Sequence, residues 1–291
     1  MATQREIKKR IQSVSSTRKI TKSMEMVSTV KMKKMQNRLT LSRPYAVKVD
    51  EIISHLTSGG VDTNLDLLRK RENPRRSLIV IVAGNRGLCG GFNTGIVEMA
   101  LDKKDELLKA GREDVKLYVF GKKAYNYLKF LKEPVFQWDT NPEDKISFTY
   151  ASDLGLELVN LFEKHEVDEV FFAYTEVKSA ASHKPVIKPL LPIVKDESHA
   201  TSSGPVGDYI FDPTPEEILS NLIPLYIRVK IFNFFLETGF SEQFARRISM
   251  KNANDAAADM VRNLTVFYNR VRQAKITNEI AEIVGGAAAL D

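Results

Sequence analysis

"SLIVIVAGNRGLCGGFNTG", residues Ser77–Gly95, joins a strand pattern to a helix pattern through a glycine-rich loop. Leu78 to Val82 is an uninterrupted apolar run, the mark of a strand buried on both faces. Four glycines follow among Gly84–Asn93, and a helical pattern starts after them. Strand, glycine loop and helix is the layout that cradles phosphates in nucleotide-binding folds. The loop has no Gly-Lys-Ser/Thr ending, so it lacks the lysine and hydroxyl that hold phosphate and magnesium in a P-loop, and it lacks dinucleotide-fingerprint spacing. The favoured reading is that its glycines allow tight turns and close packing of loop on helix. The alternative is a nucleotide-binding α/β enzyme using the Gly84–Asn93 loop.

Downstream, apolar strand runs alternate with helical patterns. "GIVEMALDKKDELLKAG" reads as a helix closed by Gly111, "VKLYVFG" as a strand and "KKAYNYLKFLK" as a helix. "ASDLGLELVNLFEKHEV" is a further helix, "DEVFFAYTEV" a strand, and "KPVIKPLLPIV" an edge strand marked by its prolines. This alternation over residues 74–206 predicts an α/β layer structure with a mostly parallel sheet.

The flanks change period. Residues 1–57 hold one proline, Pro44, and no glycine. Ile7, Ile11 and Val14, then Ile20, Met24 and Val27, then Met32, Met35 and Leu39 recur at helical spacing, with "SSTRK" (Ser15–Lys19) breaking the stripe. At the other end, Thr214, Pro215 and Glu217 form a helix-start signal. Residues 212–291 then read as a long helix that Pro224 is expected to kink or restart. Its apolar face is carried by Ile248, Val261, Leu264, Tyr268, Val271, Ile276, Ile280 and Ile283. A helix of roughly 65 residues is about 100 Å long, more than one globular domain covers. The two terminal helices are therefore expected to pair as an antiparallel coiled coil with the α/β domain inserted between them.

The net charge of +6 is unevenly placed. Residues 1–48 hold thirteen Lys or Arg against two acids, a net +11, which leaves −5 to the rest. Lys8, Lys9, Arg10, Lys19, Lys22, Lys31, Lys33 and Lys34 form a basic stripe that suits an acidic partner or simply a solvated face. A nucleic-acid-binding helical protein is one reading, but Tyr45 is the segment's sole aromatic, and stacking platforms need more. The one cysteine, Cys89, excludes an internal disulfide and reads as a buried structural thiol. His55, His165, His183 and His199 lack metal-ligand spacing. No apolar run approaches the ~20 residues of a membrane span, and the start lacks the apolar core of a secretion signal.

At the C-terminus, "ITNEIAEIVGGAAAL" (Ile276–Leu290) closely resembles the signature of the γ subunit of F-type ATP synthases: an Ile-Thr pair, then Glu279, an acid at Glu282, and Gly286-Ala287. "STRKITKSMEMVSTVKMKKMQ" (Ser16–Gln36), "SRPY" (Ser42–Tyr45), "NRGLCGGFN" (Asn85–Asn93) and "SEQFARRISMKNANDAA" (Ser241–Ala257) also match that family, in order along the whole chain. The resemblance implies a central rotor stalk: a long antiparallel coiled coil of N- and C-terminal helices, 1–57 and 212–291, with a Rossmann-like α/β domain, 74–206, inserted. It implies no catalytic residue, metal or cofactor in this chain, since ATP is made on β subunits at interfaces with α subunits. The implied partners are three α and three β subunits, an ε subunit and the c-ring of the membrane sector. Nucleic acid is not among them, and membrane association is indirect. Carried over residue by residue, Lys8, Lys9, Met24, Arg272, Gln273, Thr277 and Glu279 contact the β subunits and couple rotation. Ser42, Tyr45 and Tyr209 lie near the c-ring and ε. The expected location is the cytoplasmic face of a bacterial plasma membrane rather than the mitochondrial matrix side. The paired cysteines of the chloroplast redox loop are absent, which excludes that form of thiol control.

Overall fold

The structure, a computed structural model, describes residues 3–58, 66–69, 71–179, 182–193 and 215–288. By internal contacts the chain divides into two units, Met1–Thr29 with Arg246–Asp291, and Val30–Ala245. Two long helices, α1 (Gln4–Ser58) and α5 (Pro215–Ala288), contribute to both.

The larger unit is built on a five-stranded sheet. Its strands are β1 (Arg76–Val82), β2 (Asp114–Phe120), β3 (Gln137–Asp139), β4 (Glu169–Val177) and β5 (His183–Leu191), in the order β3-β2-β1-β4-β5. Strands β1 to β4 are mutually parallel and β5 is antiparallel to β4. The crossovers run through α2 (Phe92–Lys109), α3 (Lys122–Leu131) and α4 (Phe148–Glu163). Every element read from the sequence between residues 74 and 193 is present. Nothing in the sequence announces strand β3: it is three residues long, on the exposed side of the fold and at an edge, so it carries neither an apolar run nor an alternation.

Because side chains alternate across a strand, β1 feeds two cores. Leu78, Val80 and Val82 join a cluster with Leu158 and Phe162 of α4 and Leu219, Ile223, Ile227 and Ile231 of α5. Ile79, Ile81 and Ala83 join the other with Ile96, Val97 and Ala100 of α2 and Ala124 and Leu128 of α3. Burying each of the larger side chains stabilises the fold by about 1.5–3 kcal/mol. The Leu219–Ile231 stripe also explains why α5 meets the length and composition of a membrane span, against the sequence expectation: in this fold that stripe is core. Helix α5 runs through Pro224 without interruption. A proline removes one ladder hydrogen bond, and here Leu219, Ile223 and Ile227 on either side stay packed beneath the sheet.

In this unit α1 and α5 are antiparallel. A Cβ on Gly239 would lie 3.1 Å from Met35 Cε; Ser42 Oγ donates to Asn233 Oδ1; Lys230 Nζ meets Asp50 Oδ2 at 2.8 Å. Partner numbers fall along α5 as they rise along α1. In the smaller unit the pairing is marked by Gln4 Nε2 donating to the Tyr268 hydroxyl at 3.2 Å.

Along α1 the inward positions repeat every seven residues: Ile7, Val14, Thr21, Ser28, Met35, Ser42 and Val49 are all buried or half-buried. This is the seam of a left-handed coiled coil. It departs from the stripe read from the sequence, because Ile20 is 60% and Val27 56% exposed while the polar Thr21 and Ser28 are buried. The Thr21 hydroxyl donates to the Arg18 carbonyl of its own helix at 3.0 Å, so its burial leaves no unmet donor.

Candidate functional site

The glycine loop leaves β1 at the centre of the sheet, where doubly wound folds bind ligands beyond the carboxyl ends of their strands. The polar groups at its start are committed within the chain. Gly84 N donates to Asn93 Oδ1 at 2.8 Å. Asn85 Oδ1 accepts from the backbone of Asn141 and Lys122 at 3.1 and 3.3 Å, and its Nδ2 donates to Asn141 O at 2.7 Å and Glu143 Oε1 at 3.1 Å. Asn141 Nδ2 donates to Ala83 O at 2.7 Å. One asparagine therefore satisfies the first amide of α3, a donor that in a nucleotide site faces phosphate.

Helix α5 packs against this end of the sheet. Glu237 accepts from Val177 N at the end of β4 at 3.0 Å. Ser241 Oγ is 2.9 Å from His183 Nδ1 at the start of β5, and His183 stacks on Phe244 at 4.2 Å between centroids. The Glu242 side chain, 1% exposed, lies against Gly84, where a Cβ would come within 2.8 Å of its Cδ and Oε1. The missing Cβ at Gly84 is what lets this acidic side chain seat there. The geometry supports the structural reading of the glycines over the nucleotide-enzyme alternative.

Burial pushes the Glu237 carboxyl above its ordinary range, and nearby Glu176 adds to this; the Val177 amide, Lys188 and Arg43 pull the other way. A carboxyl raised on folding stabilises the fold at low pH and loses that contribution as pH rises through its folded pKa. Glu237→Gln keeps an acceptor for Val177 N and carries no charge. We expect its urea midpoint to match wild type near pH 4 and to exceed it increasingly toward pH 8. A constant gap across that range would contradict the assignment.

Cys89 is buried, its thiol accepting from Asn93 Nδ2 at 3.2 Å and facing Arg86 O at 3.8 Å, as suits a structural thiol. Among the described residues no group of three His, Cys, Asp or Glu is placed to hold a metal ion.

The residues expected to meet partners fall into separate groups. Lys8 and Lys9 are exposed near the start of α1, and Met24 is half-buried. Arg272, Gln273, Thr277 and Glu279 are all exposed, with Glu279 3.4 Å from Lys275. Since Gln4 is level with Tyr268, α5 continues past the start of α1, and Ile276, Ile280, Ile283 and Val284 lie exposed on that overhang. Met24 stands twenty residues along α1 from Gln4, about 30 Å, so Met24 and Arg272–Glu279 do not form one contact site. Ser42 directs its hydroxyl to Asn233, and Tyr45 is exposed beside Leu41 and Val47. Tyr209 lies outside the described residues, as does Thr214 of the helix-start signal. Glu237, Ser241 and Glu242 escaped the sequence reading; their one signal was a run of polar residues inside the most buried stretch of α5.

Comparisons with known proteins agree over the whole length. The family model described as ATP synthase matches residues 3–290. The ATP synthase gamma chain of Leptospira biflexa is 44% identical over 291 residues, covering 100% of each chain. That of Heliobacterium modesticaldum is 40% identical with 98% of each covered. Among solved structures, a chain of the Euglena gracilis mitochondrial ATP synthase (OSCP/F1/c-ring) superposes with a TM-score of 0.67 at 20% identity, covering 99% of this chain and 94% of that one. One from the Tetrahymena thermophila mitochondrial central stalk and c-ring gives 0.58 at 24%, covering 80% and 99%. The chain belongs to the ATP synthase gamma chain family.

Proposed function

We propose that the chain is the central rotor stalk of an F-type ATP synthase, converting ion-driven rotation of a membrane c-ring into changes of nucleotide affinity on β subunits. The observation that carries this is the overhang of α5: among the described residues, no helix of this chain stands level with the exposed Ile276, Ile280, Ile283 and Val284. A bare apolar helix needs other protein around it. A sleeve of three α and three β subunits supplies that without fixing one angle, because the overhang's apolar face offers few groups for directional bonds. Catalysis belongs to the β subunits, and coupling is then a free energy shared between sites through a moving partner.

In this reading Lys8 and Lys9 meet acidic loops of the β subunits, Met24 meets a β lever loop, and Arg272, Gln273, Thr277 and Glu279 engage a β catch. Because the last four stand about 35 Å or more from Met24, they act at a different level of the hexamer. Ser42, Tyr45 and Tyr209 lie toward the c-ring and ε, with Tyr45 offering the exposed surface. The complex sits on the cytoplasmic face of a bacterial plasma membrane, and the chain reaches the membrane only through the ring.

The test is ions pumped per ATP hydrolysed in sealed vesicles holding the reconstituted complex. Met24→Lys places a charge where surfaces must slip past one another, and one added charged hydrogen bond of roughly 1.5–3 kcal/mol favours a single angle. The expected result is continued hydrolysis with a lowered pumping ratio and a steeper temperature dependence. A ratio at the wild-type value at all temperatures removes Met24 from the coupling contact. A chain that fails to associate with α and β subunits at all removes the rotor reading.

A further inference from the structure

The aliphatic stripe of α5 specifies its register on the sheet only weakly; further along, Phe234 and Phe235 pack on Phe172 and Phe120 at 5.0 and 5.2 Å between centroids and add a constraint of shape. Leu219, Ile223, Ile227 and Ile231 are aliphatic, similar in size and spaced four residues apart. A slip of α5 by one turn, about 6 Å, puts each near its neighbour's seat. Hydrophobic attraction is non-directional, so it penalises such a slip weakly, and one-turn ratchets of packed elements are a known mode of motion. Beyond those rings, three polar side chains add directional contacts that a slipped helix would lose. Glu237 holds Val177 N at 3.0 Å, Ser241 meets His183 Nδ1 at 2.9 Å, and Glu242 lies against Gly84, where no side chain stands in its way. Ser241 and Glu242 are each 1% exposed. Burying carboxylates is a poor route to stability, and their best attested use is to fix register.

We propose that Glu237, Ser241 and Glu242 are register pins, positioning residues that lock α5 on the carboxyl ends of β1 and β4 against a one-turn slip. The place a doubly wound fold reserves for a ligand thereby holds the chain's own helix. Resting on the rotor reading, the pins keep torque applied to the α/β domain from being lost as sliding along α5.

Intramolecular crosslinking reads register directly. A Cβ on Gly155 of α4 would lie 3.3 Å from Ile227 Cγ2, so in a Cys89→Ala background Gly155→Cys with Ile227→Cys reports the native register. Gly155→Cys with Ile223→Cys reports a one-turn slip. With the pins intact, the native pair is expected to crosslink at least about tenfold faster than the slipped pair. With Glu237→Leu and Glu242→Leu, which keep bulk and remove the acceptors, and Ser241→Ala, that preference should fall to about threefold or less. Should the triple variant fail to assemble, Glu237→Leu alone decides, with Glu237→Gln as the conservative rescue that restores the preference. An assembled, unpinned protein that keeps the native preference overturns the proposal. Pumping per ATP in the same vesicles should drop with the preference while hydrolysis stays within about twofold. A wild-type complex that hydrolyses without pumping removes the rotor reading and leaves the crosslinks to decide the pins.

Discussion

Gly121→Ala is expected to destabilise the α/β domain by about 4 kcal/mol or more. Gly121 sits between β2 and α3 at φ +116°, a conformation side chains rarely adopt. A Cβ there would lie 2.4 Å from Ala83 O and 2.7 Å from Ala83 C. These are backbone atoms, and they are held in place: Ala83 N donates to Phe120 O at 2.8 Å and Gly121 N to Asp139 O at 2.9 Å. Relief therefore requires β1 and β2 to part at the point where the glycine loop begins. Thermal unfolding should show a midpoint lower by roughly 10 °C. Gly87→Ala is the internal control. A Cβ there makes only an ordinary 3.6 Å contact with Lys123 Cε, and a change within about 0.5 kcal/mol is expected. Equal effects at the two positions would show that loop glycines are needed for flexibility rather than for close approach.

Asp168→Asn should cost about 3–5 kcal/mol at neutral pH. Asp168 Oδ2 accepts from the backbone N–H groups of Arg75 and Arg76 at 2.9 and 2.8 Å, and Oδ1 accepts from Arg71 Nη1. Arg71 also donates to Phe162 O at 2.8 Å and lies over the Phe162 ring at 4.4 Å. This clasp ties the segment entering β1 to the entry of β4. Burial by itself raises the Asp168 carboxyl, but the two amides and Arg71 outweigh it and hold the group below its ordinary value. A carboxyl depressed on folding contributes stability above its unfolded pKa of about 3.9 and loses it as pH falls through the folded value. Wild type should therefore lose its advantage over Asp168→Asn in acid, read as urea midpoints converging below about pH 4. An advantage that persists there would mean that packing, not charge, carries the clasp.

The elements are legible in the sequence because their signals are local. The Leu78–Val82 run, the glycine loop, the proline-marked β5 and the long proline-poor flanks each announce themselves within a window of a few residues, and the five family motifs do so in order along the chain. The features that are not legible there depend on which surface meets which. Of the α1 stripe Ile20, Met24 and Val27, Ile20 and Val27 face outward and Met24 is half-buried, because the partner's path selects the seam and a neighbouring heptad through Thr21 and Ser28 fits it. Strand β3 forms because β2 offers an edge, not because Gln137–Asp139 prefers to be a strand. Pro224 sits inside α5 because the sheet holds the turns around it. The loop at Gly84 looks like a phosphate cradle in sequence. It proves to be the seat of a carboxylate lying 158 residues further along the chain, at Glu242, and no local pattern encodes a contact across that distance.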